Sequence, residues 1–446
     1  MQGYNSVVAV IKLTTTTEGT LFMERFVSSV IGPASNSPLM KKMSFSCGNM
    51  AWETMGPDWS PRDNITIRHE SIEEPDVESF VSRNLSAPLD LRKPCWAVEY
   101  LEEVFEESRS YSVCILKYHH AVADGFTMIQ QMLSRVQSVS DPSTSVFSMF
   151  PHRKANAAKS SGSVWSVLKS LWRMMRMKPD KPSIYRSTTL RVADESLNVA
   201  LSDLGGVTVD RLKRLAKQLS EKGVYSINDI LTAALAMALR SFALKRGKTP
   251  EDVTSVIWVS LEREFAASIC PNKWDNSKLG FGYASLPLSV QSPMESLRVT
   301  HGRLSVLKES PDAGVINWAL RLIGSLPVSM GKFLSLRTAD KASISMSNLA
   351  GPNQQVRWPV GLPGEAPIIE SIHFVTSPPF HFGLLASFLS YDGKFFVSLS
   401  ARAQMFEETE LTSLLKEELP RAVCRLEGDA VEAKEGVAGA TALYPY

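Results

Sequence analysis

Residues 112–136 read SVCILKYHHAVADGFTMIQQMLSRV. Ser112–Tyr118 is an apolar, β-branched run and predicts a strand. Phe126–Val136 places Ile129, Met132, Leu133 and Val136 on one helical face. Between them, His119-His120-Ala121-Val122-Ala123-Asp124-Gly125 joins a strand end to a helix start. A strand end holds a side chain rigidly at the rim of a sheet. Gly125 lets the backbone turn sharply or lets another group approach it. Either histidine, His119 or His120, is a candidate general base, because an imidazole titrates near neutrality. Asp124 can fold back and fix the loop by pairing with an arginine, with Arg68 and Arg92 as the two candidates. A plainer reading stays open, in which the histidines cap a strand and Asp-Gly is an ordinary turn.

Outward from this stretch, strands and helices alternate, which places the chain in the α/β class. Trp96–Glu102 pairs with Ser112–Tyr118 through the acidic turn Glu106-Glu107-Ser108. Val7–Leu13 and Asn64–His69 read as further strands, and Leu21–Ile31 as a helix. A second α/β pattern begins after residue 191. Val209–Glu221 and Ile227–Phe242 read as helices. Ser255–Leu261, Leu286–Val290, Ser343–Asn348, Ile368–Val375, Leu384–Tyr391 and Lys394–Ser400 read as strands. A last helix covers Thr409–Leu426. The predicted organisation is a first domain over 1–150, a connection over 151–191, a second domain over 192–427 and a flexible tail over 428–446.

The length of 446 residues is more than one ordinary core accommodates and fits two domains. A net charge of +2 gives no reason to expect nucleic acid as a partner. The five cysteines, Cys47, Cys95, Cys114, Cys270 and Cys424, are scattered and odd in number, with no CxxC spacing. That pattern favours free thiols in a reducing compartment, and no metal site is expected. Met1–Leu13 lacks the basic start and long apolar run of a signal peptide. The nearest candidate for a membrane span, Val315–Leu336, is interrupted by Arg321, Gly324, Pro327, Gly331 and Lys332, so a spanning helix is not expected.

His-His-x-x-x-Asp-Gly resembles the motif of the coenzyme-A-dependent acyltransferase superfamily, which includes peptide-synthetase condensation domains. Further segments narrow the likeness. Pro88-Leu89-Asp90-Leu91-Arg92-Lys93-Pro94-Cys95-Trp96 looks like the Pro-Leu-Asp…Pro-Leu-Trp segment of bacterial-type wax ester synthase/diacylglycerol acyltransferases. Ser226-Ile227-Asn228-Asp229-Ile230-Leu231 is similar to their Asn-Asp helix start. Ser347-Asn348-Leu349-Ala350-Gly351-Pro352 is similar to their Ser/Thr-Asn-x-x-Gly-Pro, and Ser390-Tyr391-Asp392-Gly393 to the strand turn that follows. The segments keep the family's order over about residues 5–425. Cys95 replaces the family's usual Leu, a change in packing. Asp275–Gly280 fits its Gly-Asn-x-x-Gly segment only loosely, so no role is assigned to Asn276. The family segment that precedes Val7 is missing or replaced.

The resemblance implies two chloramphenicol-acetyltransferase-like domains with the active-site channel at their interface. It implies that His120 takes the proton of an acceptor hydroxyl, which then attacks an acyl-CoA thioester. Acyl-CoA is a co-substrate, and no cofactor is expected. The acceptor would be a long-chain alcohol or diacylglycerol. Asn348, with Ser347 or the backbone N–H groups beside it, is the candidate oxyanion donor. The same residues also read as a strand-ending turn. Asn228 and Asp229 read as a substrate-side pair, or Ser226 or Asn228 simply caps the following helix. Two other functions stay open: an amine-accepting condensation enzyme, and a non-catalytic lipid-binding protein.

Residues 152–191 hold ten Lys or Arg and one acid, Asp180. Within them Val164–Met177 forms a helical wheel with Trp165, Leu168, Leu171, Trp172 and Met175 on one side. Lys169, Arg173 and Arg176 lie beside that stripe. Such a helix can lie in a lipid headgroup layer or dock on the protein with its basic side solvated. The first reading predicts an intracellular protein peripheral on the cytoplasmic face of the endoplasmic reticulum or plasma membrane, or on a lipid droplet.

Overall fold

The computed structural model describes every residue except 1–5, 33–36, 47–48, 75, 145, 151–163, 191–194, 220–224, 261–278, 339, 363 and 442–446. Asn276, Cys47 and Cys270 therefore lie outside the described residues. The main elements in chain order are β1 (Ser6–Leu13), β2 (Ile65–Arg68), β3 (Ile72–Glu73), β4 (Trp96–Glu106), β5 (Arg109–His119), α1 (Gly125–Leu133), α2 (Val164–Arg176), β6 (Leu197–Ser202), α3 (Ile227–Lys245), β7 (Val253–Ser260), β8 (Leu279–Leu286), α4 (Pro293–Glu309), α5 (Asp312–Gly324), α6 (Val328–Thr338), β9 (Ile344–Ala350), β10 (Ile369–Thr376), β11 (Leu384–Tyr391), β12 (Lys394–Arg402) and α7 (Leu419–Thr441).

The strands form two mixed sheets. The first has the order β10-β1-β5-β4-β2, with β3 also paired to β4. The second has the order β8-β7-β9-β11-β12-β6. A sheet covered on both faces needs apolar residues on both, and β1 shows the result. Val7, Ala9, Ile11 and Leu13 enter one cluster with α1, while Val8 and Val10 enter another with β6. In the second sheet Phe395, Val397, Leu399 and Ala401 of β12 face the α3 core. On the opposite face of β12, Ser398 and Ser400 donate hydrogen bonds to the Phe374 and Thr376 carbonyls of β10.

β10 marks where the two-unit division is incomplete. It lies within the stretch 192–427, yet it completes the first sheet beside β1, from Val7↔Thr376 to Leu13↔Ile369. The tail expected over 428–446 is corrected as well, because α7 continues from Leu419 to Thr441. The strand expected at Leu286–Val290 ends at Leu286 instead of starting there. α3 is apolar around its whole circumference. Ile230, Leu231, Ala233, Ala234, Leu235 and Leu239 are all buried, as befits a helix inside a domain core. The apolar stretch Val315–Leu336 is two helices, α5 and α6, broken around Pro327.

Candidate active site

β5 delivers the histidine pair to the rim of the first sheet. The His119 N–H donates to the Cys95 carbonyl at 2.8 Å, and Val122 N–H closes the turn on the His119 carbonyl at 2.9 Å. Asp124 then caps α1, its Oδ1 accepting the Thr127 N–H at 2.6 Å. The carboxylate satisfies a backbone donor that the helix leaves open at its first turn. Neither arginine proposed for it plays that part. Arg68 bonds Glu99 at 2.7 Å, and Arg92 bonds Asp90 at 3.0 Å. Each of those arginines lies within reach of a carboxylate on its own segment or the neighbouring strand, and the loop is fixed through the helix cap.

The two imidazoles are both held neutral. The Ala121 N–H donates to His119 Nδ1 at 3.1 Å, which requires a lone pair there and leaves the proton on Nε2. Burial pushes the His119 pKa down to about 4. Burial also pushes His120 below the ordinary histidine range, while the negative charge of Asp124 works in the opposite direction. A neutral imidazole is the form that accepts a proton.

The second sheet closes on this loop. A Cβ on Gly125 would lie 3.1 Å from Leu349 Cδ1, so the absent side chain is what lets the end of β9 come this near. Asn348, the residue before Leu349, is half-buried, and its Nδ2 donates to Asn228 Oδ1. Ser347, also half-buried, pairs with Ser387 across β9 and β11. Asn228 lies in the first turn of α3, whose N-cap is Ser226. Asp229 forms a reciprocal capping box with Ser226 and is fully buried. It also pairs with His301 Nδ1 at 3.0 Å and Lys308 Nζ at 3.3 Å. The fold thus brings His120, Gly125, Asn348 and Asn228 to one junction of the sheets and commits Asp229 to the helix start. Trp258 of β7 was not singled out from sequence. Its ring centroid lies 6.4 Å from that of His120 with the planes 29° apart, and its Nε1 donates to Ser345 Oγ of β9 at 2.9 Å. A single tryptophan in a β-branched strand reads as ordinary core, and only its neighbours distinguish it. Among the described residues no cluster of three or more His, Cys, Asp or Glu is suited to a metal.

Residues 4–229 match the wax ester synthase/diacylglycerol acyltransferase catalytic domain, and residues 274–421 match the C-terminal domain of the same family. The chain belongs to the wax ester synthase/diacylglycerol acyltransferase family. A family member from Arabidopsis thaliana, wax ester synthase/diacylglycerol acyltransferase 11, is 22% identical over 324 residues, 64% of this chain and 66% of that protein. A probable diacylglycerol O-acyltransferase of Mycobacterium tuberculosis is 22% identical over 302 residues, 64% of this chain and 63% of that protein. The chain thus spans just under two thirds of the length of these curated relatives. Among solved structures, the wax ester synthase/diacylglycerol acyltransferase of Marinobacter aquaeolei VT8 superposes with a TM-score of 0.65 at 15% identity, covering 96% of this chain and 95% of that one. A trichothecene 15-O-acetyltransferase of Fusarium sporotrichioides gives 0.61 at 12% identity, over 95% and 91% of the two chains. These likenesses establish the fold as a pair of chloramphenicol-acetyltransferase-like domains.

In this wax ester synthase/diacylglycerol acyltransferase family member, α2 docks on the protein through one side and leaves its tryptophan side exposed. Its buried Ser170 and half-buried Met174 face the protein, and Arg173 pairs with Asp312 of α5. Its tryptophan side faces outward, with Trp165 80% and Trp172 57% exposed and Leu168 and Met175 exposed beside them. Lys169 is exposed too, and Arg176 stacks over the Trp172 ring at 4.5 Å.

Proposed function

We propose that this protein is an O-acyltransferase that moves a long-chain acyl group from acyl-CoA to a long-chain alcohol, to diacylglycerol, or to both. The observation that carries this reading is a neutral His120 on a capped loop, pressed by Gly125 against the strand end that holds Asn348. His120 takes the hydroxyl proton as the acceptor oxygen attacks the thioester carbon. The tetrahedral intermediate puts negative charge on the former carbonyl oxygen. Asn348 Nδ2 has a second N–H beyond the one given to Asn228, and that N–H is the oxyanion donor. Collapse breaks the carbon–sulfur bond, and the leaving thiolate recovers the proton from His120. Atoms and charge balance without a covalent enzyme intermediate, and acyl-CoA is consumed as co-substrate.

The outward tryptophans of α2 beside Lys169 and Arg176 support docking on an anionic lipid surface, which is where both products and acceptors partition. The proposed site of action is the cytoplasmic face of the endoplasmic reticulum or plasma membrane, or a lipid droplet. Labelled palmitoyl-CoA offered to the protein with hexadecanol, diacylglycerol and a long-chain amine in parallel tests the reading. Wax ester or triacylglycerol is the expected product. Amide alone would indicate a condensation-type enzyme, and no product with bound lipid would indicate a carrier.

A further inference from the structure

The geometry points to Trp258 as the residue that selects the acceptor. This rests on His120 acting as the base for an alcohol or glyceride, and the inference is which of these acceptors the site favours and by what route it arrives. Val256 and Trp258 are two apart on β7 and share a face of the sheet. Both belong to one hydrophobic cluster that continues through Phe281 and Ile316 to Leu320 and Met174. Leu320 lies on α5 and Met174 on α2, the two helices that also carry exposed Trp318, Leu322, Trp172 and Met175. Apolar side chains of one cluster thus run from α2 and α5 towards the His120 ring, and Trp258 is the member beside that ring.

The indole is pinned there. Its N–H is held by Ser345, and its edge meets Phe281 with centroids 5.2 Å apart and planes at 62°. Its ring is half-buried, although Val256, Phe281 and Ile316 of the same cluster are buried. Trp258 thus keeps apolar surface uncovered, and its ring lies beside that of the proposed base. A straight-chain primary alcohol presents its hydroxyl at the tip of a slender chain, which can lie along such a surface. The hydroxyl of a 1,2-diacylglycerol is also primary, but it sits one carbon from a branched, ester-bearing carbon and needs more width at the same point. Trp258 accordingly favours straight-chain primary alcohols over diacylglycerol, and the Phe281–Ile316–Leu320 cluster receives the alcohol's hydrocarbon chain.

The test is steady-state kinetics of the full chain with palmitoyl-CoA and either hexadecanol or diacylglycerol. Trp258→Ala should raise the diacylglycerol-to-hexadecanol ratio of kcat/KM by about tenfold or more, the scale on which pocket shape discriminates. The KM for palmitoyl-CoA should stay near the parent value. Trp258→Phe keeps an aromatic wall and should stay near the parent ratio. An unchanged ratio in Trp258→Ala, or equal losses for both acceptors together with a raised donor KM, overturns the assignment and leaves Trp258 as packing. Should Trp258→Ala fail to fold, Leu320→Trp reads the same path from its outer end. It should lower kcat/KM for hexadecanol while sparing butanol, and equal effects on the two alcohols would refute the route. A parent protein inactive on every alcohol and glyceride would instead refute the O-acyltransferase reading itself, whereas an active parent with an immobile ratio refutes the role of Trp258 alone.

Discussion

Replacing Asp124 by Ala should destabilise the protein and shift its pH profile in a direction the structure fixes. The carboxylate accepts the Thr127 N–H at 2.6 Å and is only 5% exposed, so water cannot readily take its place. Loss of such a cap costs about 1–2 kcal/mol. Asparagine caps about as well as aspartate, so Asp124→Asn should be about 1 kcal/mol more stable than Asp124→Ala. Urea unfolding followed by tryptophan fluorescence measures both differences. The charge has a separate consequence. Asp124 raises the His120 pKa against the lowering effect of burial. The base must be neutral, so kcat/KM falls as pH drops through the His120 pKa, and in the parent this acid limb lies below the ordinary histidine range. Removing the negative charge takes away the larger of the two influences that oppose burial, and the limb should move to still lower pH in both variants. Equal stability of the Asn and Ala variants would refute the cap as the loop's anchor. A limb that moves to higher pH would refute the electrostatic coupling of Asp124 to His120.

His120→Ala should remain folded and lose about two to four orders of magnitude in turnover, the usual share of a general base; parental turnover in the folded variant would sink the mechanism. His119→Ala should lose less, because His119 serves the loop through the Ala121 N–H. The ion pair of Glu195 and Arg402 is buried on both sides, with Nε to Oε1 at 2.5 Å. Arg402→Met strands the carboxylate and should cost about 3–5 kcal/mol in urea unfolding, with a loss near zero contradicting the pairing. Lys169→Glu with Arg176→Glu spares the Arg173–Asp312 contact and should weaken flotation with anionic vesicles, more at low salt than at high. Equal flotation of variant and parent would mean that the tryptophan face of α2 meets something other than lipid.

The turn from β5 into α1 was legible because its signals are local: a β-branched run, a glycine and helical spacing within 25 residues. The capping of α3 was legible for the same reason, and of the two candidates Ser226 is the cap, with Asp229 completing a reciprocal box. Partners distant in sequence were not. Arginine at 68 or 92 is chemically able to meet Asp124, but only the folded chain shows Arg68 beside Glu99 and Arg92 beside Asp90. β8 was misplaced because Gly280 and Gly282 lower its strand signal. The structure supplies their reason: a Cβ at Gly280 would fall 2.3 Å from the Ala313 carbonyl oxygen, and one at Gly282 2.0 Å from Leu307 Cδ1. These glycines let α4 and α5 lie close against the strand. The run from 428 onward looked like a tail because its residues are small and polar, yet as far as Thr441 it extends a helix already anchored by buried Leu419, Val423 and Leu426.

The position of β10 bears on how the chain is made. Thr376 is synthesised long after its partner Val7, with most of the two sheets' sequence lying between them. At about 5–20 residues per second, that interval is tens of seconds. Throughout it the outer edge of β1 is an unpaired row of backbone groups flanked by apolar side chains, the kind of edge that recruits other nascent chains. The first sheet therefore cannot mature during synthesis as a vectorially folded unit, and its yield should depend on chaperone capacity and on translation speed across the second half. For the same reason, a fragment cut at the connection should aggregate when produced alone. Recovery of a soluble first half should require supplying the β10 segment in trans.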